Sequence, residues 1–468
     1  MKPVSIAEIV EAVSGTLAWG DEKALVTSVV TDSREVKEGS LFVPLIGERV
    51  DAHRFIPGVL EEGAACVFSS DHTIQEERGA GIYVTDTLQA LQALAAWYRS
   101  QFSLPVIGIT GSVGKTTTKE MIGAVLETKY RTVKTLQNLN SQIGVALMQF
   151  QLEEDTEMAV FEMGISMPGE MERLAVMARP NCAVLTNVGV SHIGNLGSRE
   201  NICTEKGKII TGFDKEGTVY ICGNGDLKEL SRENLPYEQC PGRCETRFYG
   251  TEPGCLYYGD EIQTGEQGQS FLFHYPEGEM RIELSVMGLH NINNAIVALA
   301  LALEYQVPLS DAARALKEYR PIAMRGVVKE RDGVHIIDDT YNASPDSINS
   351  NLDALFDYGG KDSRKIAVLA DVLELGERSR ELHEGVGKFI LQEREKGKTL
   401  SFLVTVGTEA GYISDYVTGH SDIPARHCKS NEEVAAVVRE TMRAGDWILV
   451  KGSRGMKMDE VVERLIKG

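Results

Sequence analysis

No stretch of this 468-residue chain approaches the ~18 consecutive apolar residues that a bilayer span requires, which excludes stable insertion in a membrane. The opening residues, Met1-Lys2-Pro3-Val4-Ser5-Ile6-Ala7-Glu8, place an acid where a secretory leader needs an unbroken apolar core. Positive charge is also short: 48 Lys and Arg face 68 Asp and Glu, a net charge of −20. Such a field repels nucleic-acid phosphates unless a basic face is set apart, and no such face is found, so nucleic acid is excluded as a partner. Cysteine is scarce, at eight residues. Cys66, Cys182 and Cys222 lie inside apolar runs and read as reduced core thiols. Cys240, Cys244 and Cys255 cluster, but their C-x3-C spacing lacks a matching second pair, so unremarkable thiols outweigh a metal site. Short repeats and low-complexity tracts are missing as well. These absences predict a cytoplasmic protein, and a monomer is expected. Its 43% hydrophobic and 25% charged residues are ordinary for globular chains, and its length suits about three domains.

What the chain does have is a phosphate loop. An apolar strand, Pro105-Val106-Ile107, runs into Gly108-Ile109-Thr110-Gly111-Ser112-Val113-Gly114-Lys115-Thr116-Thr117-Thr118, and a helical run, Lys119 to Leu126, leaves it. Strand, glycine loop and helix in that order turn a Gly-Lys-Thr string into a site where backbone N–H groups and a helix dipole meet phosphate oxygens. Lys115 would reach the outer phosphates, and the Thr116 hydroxyl would sit on a magnesium ion. The usual spacing has a glycine where Ile109 stands, so this is a shorter form of the loop. A plain glycine turn before a core helix is the weaker reading in that context.

Around the loop the chain reads as α/β throughout, in three units. Residues 1–102 alternate short helices and strands: a helix from Ser5 to Val13 stopped by Gly15, strands at residues 26–30, 40–45, 64–68 and 82–84, then a helix with Leu88, Leu91, Ala95, Tyr98 and Phe102 on one face. Residues 103–318 hold the loop and buried strands ending at Glu162, at Asn187 to His192 and at Gly223 to Asp226, then a polar, strand-like excursion at 229–285 and an apolar helix from Asn291 to Glu304. Residues 319–468 restart a strand–helix alternation, with strands at 334–337, 365–369, 402–406 and 447–450, which implies a parallel sheet covered on both faces. Polar residues follow the strands in both larger units, where open α/β sheets bind ligands, and this suggests a cleft between domains.

Phosphoryl chemistry asks a protein mainly for position and charge. Glu162, at the end of an apolar strand after the loop, is the expected second magnesium anchor, with a solvated strand-end acid as the alternative. Spacing alone leaves other candidates open. His192 reads more readily as a satisfied histidine than as a ligand, Asn138 and Asn140 equally as ligands or as turn amides, and Lys206 by default as a solvated helix lysine.

The order of motifs decides more than any one of them. Thr31-Asp32-Ser33-Arg34, Gly39-Ser40-Leu41-Phe42-Val43 and Gly47-Glu48-Arg49-Val50-Asp51-Ala52-His53 precede the loop; Asn138-Leu139-Asn140, Phe161-Glu162-Met163-Gly164, His290-Asn291-Ile292-Asn293-Asn294-Ala295, Asp338-Asp339-Thr340-Tyr341-Asn342-Ala343, Asp371-Val372-Leu373-Glu374-Leu375-Gly376 and Lys451-Gly452-Ser453-Arg454 follow it. In this order the chain resembles, end to end, the Mur ligases of bacterial cell-wall synthesis. The string at Asp371 matches the branch that adds a D-alanyl dipeptide. The resemblance implies a small α/β UDP-sugar-binding domain (1–102), a central P-loop ATPase domain with a mostly parallel sheet (103–318), and a C-terminal Rossmann-like α/β domain (319–468).

It also implies roles. Gly111, Ser112, Val113, Gly114, Lys115, Thr116, Thr117 and Asn138 would hold ATP phosphates, Asn291 and Asn294 the adenine side, and Arg325 and Asp339 phosphate and ribose. Thr116 and Glu162 would hold one Mg2+, and His192 would help hold a second. Lys206, in Glu205-Lys206-Gly207, would be a carbamylated lysine that also serves as a metal ligand; Lys208, two residues on, matches less well. Lys115, Glu162, His192 and Lys206 would be the catalytic set. Ser33, Arg34, Gly47 and Asp51 would hold the UDP-sugar, with Asn140, Tyr341, Asn342, Lys451 and Arg454 facing the incoming substrates. The implied reaction is ATP-dependent ligation of D-alanyl-D-alanine to UDP-N-acetylmuramoyl-tripeptide through an acyl phosphate. The rivals are another ligase of the same family and, in a different class, a P-loop NTP hydrolase or regulator; no Asn-Lys-x-Asp guanine-reading string supports the latter.

Overall fold

A computed structural model describes residues 1–47, 49–265, 268–360 and 363–467. Each of three sheets gathers one stretch of the chain. The first has five strands in the spatial order Thr16–Trp19, Ala80–Tyr83, Cys66–Ser69, Ser40–Phe42, Ser28–Val30, with only the Thr16–Trp19 edge antiparallel. The single strand expected over residues 26–30 is two. Leu25–Val26 pairs with Val4–Ser5, and Ser28–Val30 joins the five-stranded sheet. Thr27 breaks the run by donating its N–H to Gly39 O at 2.8 Å. The helix Ile6–Val13 begins in a capping box, Ser5 with Glu8, and ends at Ser14, whose backbone turns left-handed (φ 50°), one residue before the expected Gly15.

The central sheet has nine strands, ordered Gly278–Leu284, Gly268–Tyr275, Tyr257–Gly265, Arg243–Gly250, Glu216–Cys222, Cys182–Leu185, Val106–Thr110, Met158–Glu162, Thr132–Lys134. Every pairing is parallel except the last two at the Gly278–Leu284 edge. The polar excursion at 229–285 therefore extends this sheet. Val106–Thr110 is buried at every residue; the chain first builds on one side of it, through Met158–Glu162, and then crosses to the other, at Cys182–Leu185. That is the switch point where a crevice opens beyond the carboxyl ends of parallel strands. The third sheet has six strands, ordered Val327–Arg331, Val334–Asp339, Trp447–Lys451, Lys365–Ala370, Phe402–Val406, Ala425–Cys428, and only its first pairing is antiparallel. Strand alternation feeds two cores: Ile337, Leu369 and Leu449 pack on one face, Ile336, Val368 and Ile448 on the other.

One helix ties the first unit to the second. Thr87–Ser100, capped by Asp86, buries Leu91, Leu94, Ala95 and Tyr98 in a core continuous with that of the central sheet. The Tyr98 hydroxyl donates to Leu152 O at 2.9 Å. The Arg99 guanidinium donates to Ala178 O, Phe102 O and Leu104 O at 3.1, 2.7 and 3.1 Å. Burial pulls its pKa down to about 10. Arg99→Met keeps the apolar stem but leaves three carbonyls without their donor, so a loss of about 3 kcal/mol is expected. Urea unfolding followed by tryptophan fluorescence checks this, and an unchanged midpoint would show that the junction is held elsewhere.

Candidate active site

The phosphate loop is shaped by what lies against it. Gly111 adopts φ 149°, and a Cβ there would fall 2.0 Å from Thr186 Oγ1; Gly114 adopts φ 86° at the start of helix Lys115–Leu126. Ser112 N–H donates to Asn187 O at 3.1 Å and Val113 N–H to Asn187 Oδ1 at 2.7 Å, while the Thr186 hydroxyl donates to Val113 O at 2.6 Å. The N–H groups of Ser112 and Val113 are thus committed to Asn187. Those of the helix's first turn, which have no intrahelical partner, are the donors left for a phosphate.

Two lysines converge behind the loop. The Lys115 ammonium donates to Gly111 O at 2.7 Å, and Lys206, on helix Arg199–Gly207 and 1% exposed, reaches the same oxygen at 3.3 Å. Burial lowers both pKa values, and proximity to Lys115 adds to the fall at Lys206, which is carried well below the ordinary lysine range. Lys208 instead pairs with Glu205 at 2.8 Å on the other side of the turn. Glu162, 1% exposed, accepts the Thr116 hydroxyl at 2.9 Å and the Asn140 amide at 2.7 Å. His192 has left-handed backbone (φ 60°), and its Nδ1 lies 2.9 Å from Glu374 Oε2. Burial, then Lys206, pushes the His192 pKa below the usual imidazole value.

The C-terminal domain supplies the opposite wall. Asp339, at the end of Val334–Asp339, pairs with the Lys451 ammonium and the Asn351 amide. Lys451 also donates to Asn342 O at 3.1 Å. The Arg325 guanidinium lies 3.9 Å from the centre of the Tyr341 ring, and its buried Nε has no hydrogen-bond partner among the described residues. Arg454 donates to Asp459 at 3.2 Å.

Between the walls lies a cleft of about 530 Å³. Ser112, Val113, Gly114, Lys115, Thr116, Thr117, Asn138, Asn140, Glu162, His192 and Asn291 line it from the central side; Arg325, Asp339, Tyr341, Asn342, Lys451 and Arg454 line it from the C-terminal side. Gly111 and Lys206 sit behind the loop. Asn294 is buried beneath it, its Oδ1 accepting the Thr118 hydroxyl at 2.9 Å. Ser33, Arg34, Gly47 and Asp51 lie in the first sheet's unit, away from this cleft. Arg34 is held by Asp32 at 2.9 Å, and Asp51 borders a separate hollow with Arg49, Arg54 and Asp71, its Oδ1 2.7 Å from His53 Nδ1. Gly47 N–H donates to Val50 O at 2.9 Å, and Glu48 of the same motif lies outside the described residues. Sequence reasoning gave no role to Asn187, Asp346 or Glu374. Asn187 had a visible signal, a strand-end amide, but the partners of the other two are more than 150 residues distant.

The donor set suits magnesium, which takes oxygen ligands and keeps several waters. Thr116 and Glu162 place two oxygens side by side at a helix N-terminus. Among the described residues no group of three or more His, Cys, Asp and Glu makes a complete cage, so phosphate oxygens and water would complete the shell.

Family models match along the chain: the Mur ligase family catalytic domain over residues 25–99, the Mur ligase middle domain over 109–302, and the Mur ligase glutamate ligase domain over 324–454. The chain belongs to the Mur ligase family, nucleotide-binding ligases of three α/β domains. Within that family it is similar to the UDP-N-acetylmuramoyl-tripeptide–D-alanyl-D-alanine ligase of Bacillus subtilis, at 36% identity over 99% of this chain and 98% of that one. A crystal structure of MurF from Acinetobacter baumannii superposes with a TM-score of 0.89 at 27% identity, covering 100% of both chains. MurF ligase from Thermotoga maritima in complex with ADP gives 0.82 at 29% identity, covering 94% of this chain and 97% of that one.

The tightness at Gly111 generates an expectation. Gly111→Ala forces its Cβ onto Thr186 and moves the carbonyl that both lysines share, so ADP affinity by titration calorimetry falls at least about tenfold. Unchanged affinity would show that the loop tolerates the displacement.

Proposed function

We propose that the chain joins D-alanyl-D-alanine to UDP-N-acetylmuramoyl-tripeptide, converting ATP to ADP and phosphate. The observation that carries this reading is the end-to-end similarity, at 36% identity, to the Bacillus subtilis ligase of that specificity. The cleft supports it, with a nucleotide-loop wall facing a second wall rich in polar strand ends. A nucleotide switch would have no use for that second wall.

The chemistry follows in two stages. The tripeptide's terminal carboxylate attacks the γ-phosphorus of ATP and ADP leaves, forming an acyl phosphate. The dipeptide amine then attacks the acyl carbon, loses its proton, and phosphate departs. Lys115 and the first turn of its helix hold the phosphates and balance charge on the transferring group. Thr116 and Glu162 would hold one magnesium ion, and His192 with a carbamylated Lys206 a second; bound there, the ions would draw charge from the phosphate oxygens. An α-amino group titrates near 8, so a good share of the dipeptide is already neutral at working pH and no strong base is demanded. Asn291 on the central side, and Arg325 with Asp339 across the cleft, would take the nucleoside and phosphates. Arg325, with its unpartnered buried Nε, is the donor most in need of a ligand. Asn140, Tyr341, Asn342, Lys451 and Arg454 would face the peptide substrates, and Ser33, Arg34, Gly47 and Asp51 would hold the UDP-sugar on the first domain. Enclosure between domains keeps the acyl phosphate from water. The domains are taken as 1–102, 103–318 and 319–468, in a cytoplasmic monomer.

Phosphate release with ATP, Mg2+, UDP-muramoyl-tripeptide and D-Ala-D-Ala, each omitted in turn, tests the reaction. Release requiring both peptides, with a pentapeptide product by mass, is expected; equal release without them would leave a hydrolase. Lys206 has its own test. Only the neutral amine takes up CO2, forming an N–C bond and losing a proton, and the lowered pKa of Lys206 favours that neutral form. With 13C-labelled bicarbonate, wild type should show a carbamate carbon that fades as pH falls and the amine protonates. Lys206→Arg should lack the signal and lose about a hundredfold or more in kcat. A wild-type spectrum without it would remove carbamylation from the scheme.

A further inference from the structure

The segment that follows strand Cys182–Leu185 touches both walls of the cleft. On the central side Asn187 holds the phosphate loop, and Gly189 N–H donates to Ser112 Oγ at 3.0 Å. On the C-terminal side Val190 N–H donates to Asp346 Oδ2 at 2.9 Å, and His192 meets Glu374. Glycines make the room. A Cβ on Gly189 would lie 2.0 Å from Asp346 Oδ2, and one on Gly194 would lie 3.2 Å from Glu374 O.

Both members of the His192–Glu374 pair hold left-handed backbone, at φ 60° and 65°. Residues with a Cβ adopt that region only when their surroundings impose it, and such strain gathers at working sites. The turn carrying Glu374 is anchored from behind. Val372 N–H donates to His383 Nε2 at 3.1 Å, Leu373 N–H to Ser453 Oγ at 2.9 Å, and the Asp371 carboxylate accepts the N–H groups of Thr408, Glu409 and Ala410 at 2.8, 2.9 and 2.7 Å. Glu374 is thus an exposed side chain on a fixed backbone, aimed at a histidine of the other domain. A carboxylate only accepts hydrogen bonds, so a neutral His192 must carry its proton on Nδ1 and keep the lone pair on Nε2.

We propose that Glu374 is a positioning residue: it reaches His192 only when the C-terminal domain sits against the central one, and there it fixes the Nδ1–H tautomer, so that Nε2 becomes a ligand only in the assembled cleft. The inference rests on the reading of His192 as a ligand at the metal–nucleotide site. It gives domain closure a chemical consequence beyond excluding water. The segment linking Ser112 to Glu374 carries the state of one wall to the other.

The test uses the full chain with 15N-labelled histidine, ADP and Mg2+, and the variants Glu374→Ala and Glu374→Gln, with His192→Gln to assign the resonance. Wild type should show His192 as the Nδ1–H tautomer. Glu374→Ala should lose that tautomer and raise the Mg2+ concentration for half-maximal phosphate release about tenfold, with the KM for tripeptide changed less than about twofold. Glu374→Gln, whose amide oxygen still accepts, should stay within about threefold of wild type. An unchanged tautomer and metal requirement in Glu374→Ala would overturn the proposal. So would a fall in kcat at all Mg2+ concentrations with the tautomer intact, which would mark a merely structural role. The tautomer is read with ADP alone, so a failure of peptide-dependent release in wild type would count against the proposed reaction and not against this pairing.

Discussion

Two lysine ammonium groups share one backbone carbonyl, that of Gly111, in the interior of a chain with net charge −20. Burial and like charge a few ångströms apart lower both pKa values, and that of the more deeply buried Lys206 falls further. This pair of buried lysines on one carbonyl is the constraint around which the rest is arranged. Glu162 stands across from it with Thr116, the helix dipole points into it, and His192 approaches from the next strand. A phosphate chain entering the cleft relieves a tension that the free protein holds in place by packing.

Holding it takes rigidity that a loop cannot supply alone. The loop leaves an interior strand of a nine-stranded sheet, flanked by parallel partners whose ends provide Glu162 on one side and Thr186 and Asn187 on the other. Asn187 takes two loop N–H groups, Asn294 takes Thr118 from below, and Gly111 has no room for even one more carbon. The first domain is fixed by a buried arginine with three backbone acceptors, so the hollow beside Asp51 is carried on the same body as the phosphate loop.

Local patterns made most of this legible. Strand and helix periods announced the three α/β units, the Gly-Lys-Thr string announced the loop, and the motif order announced the family. The failures share a physical cause. Thr27 splits a β-favouring run because Gly39 offers its carbonyl to the Thr27 N–H, a contact no local propensity encodes. Asn294 matches a ligand motif yet spends its side chain on Thr118, 176 residues away. Asp346 and Glu374 have meaning only through Val190 and His192, across a domain boundary. Residues whose partners lie nearby in sequence declare themselves; residues that join domains do not.

That asymmetry bears on how an acidic protein captures polyanionic substrates. The overall field opposes ATP and a UDP-sugar, but beyond a Debye length of about 8 Å at physiological salt it is largely screened. Between the low-dielectric walls of the cleft the screening is weaker, so the few local cations decide: Lys115 and the helix N-terminus on one wall, Arg325 and Arg454 on the other. Lys451 is already paired with Asp339. Arg325, stacked on Tyr341 with a buried Nε lacking an acceptor, is the least satisfied of them. A ligand phosphate placed between Lys115 and Arg325 would bind both walls at once. Ligand charge, rather than the net charge of the exterior, then decides what the cleft holds.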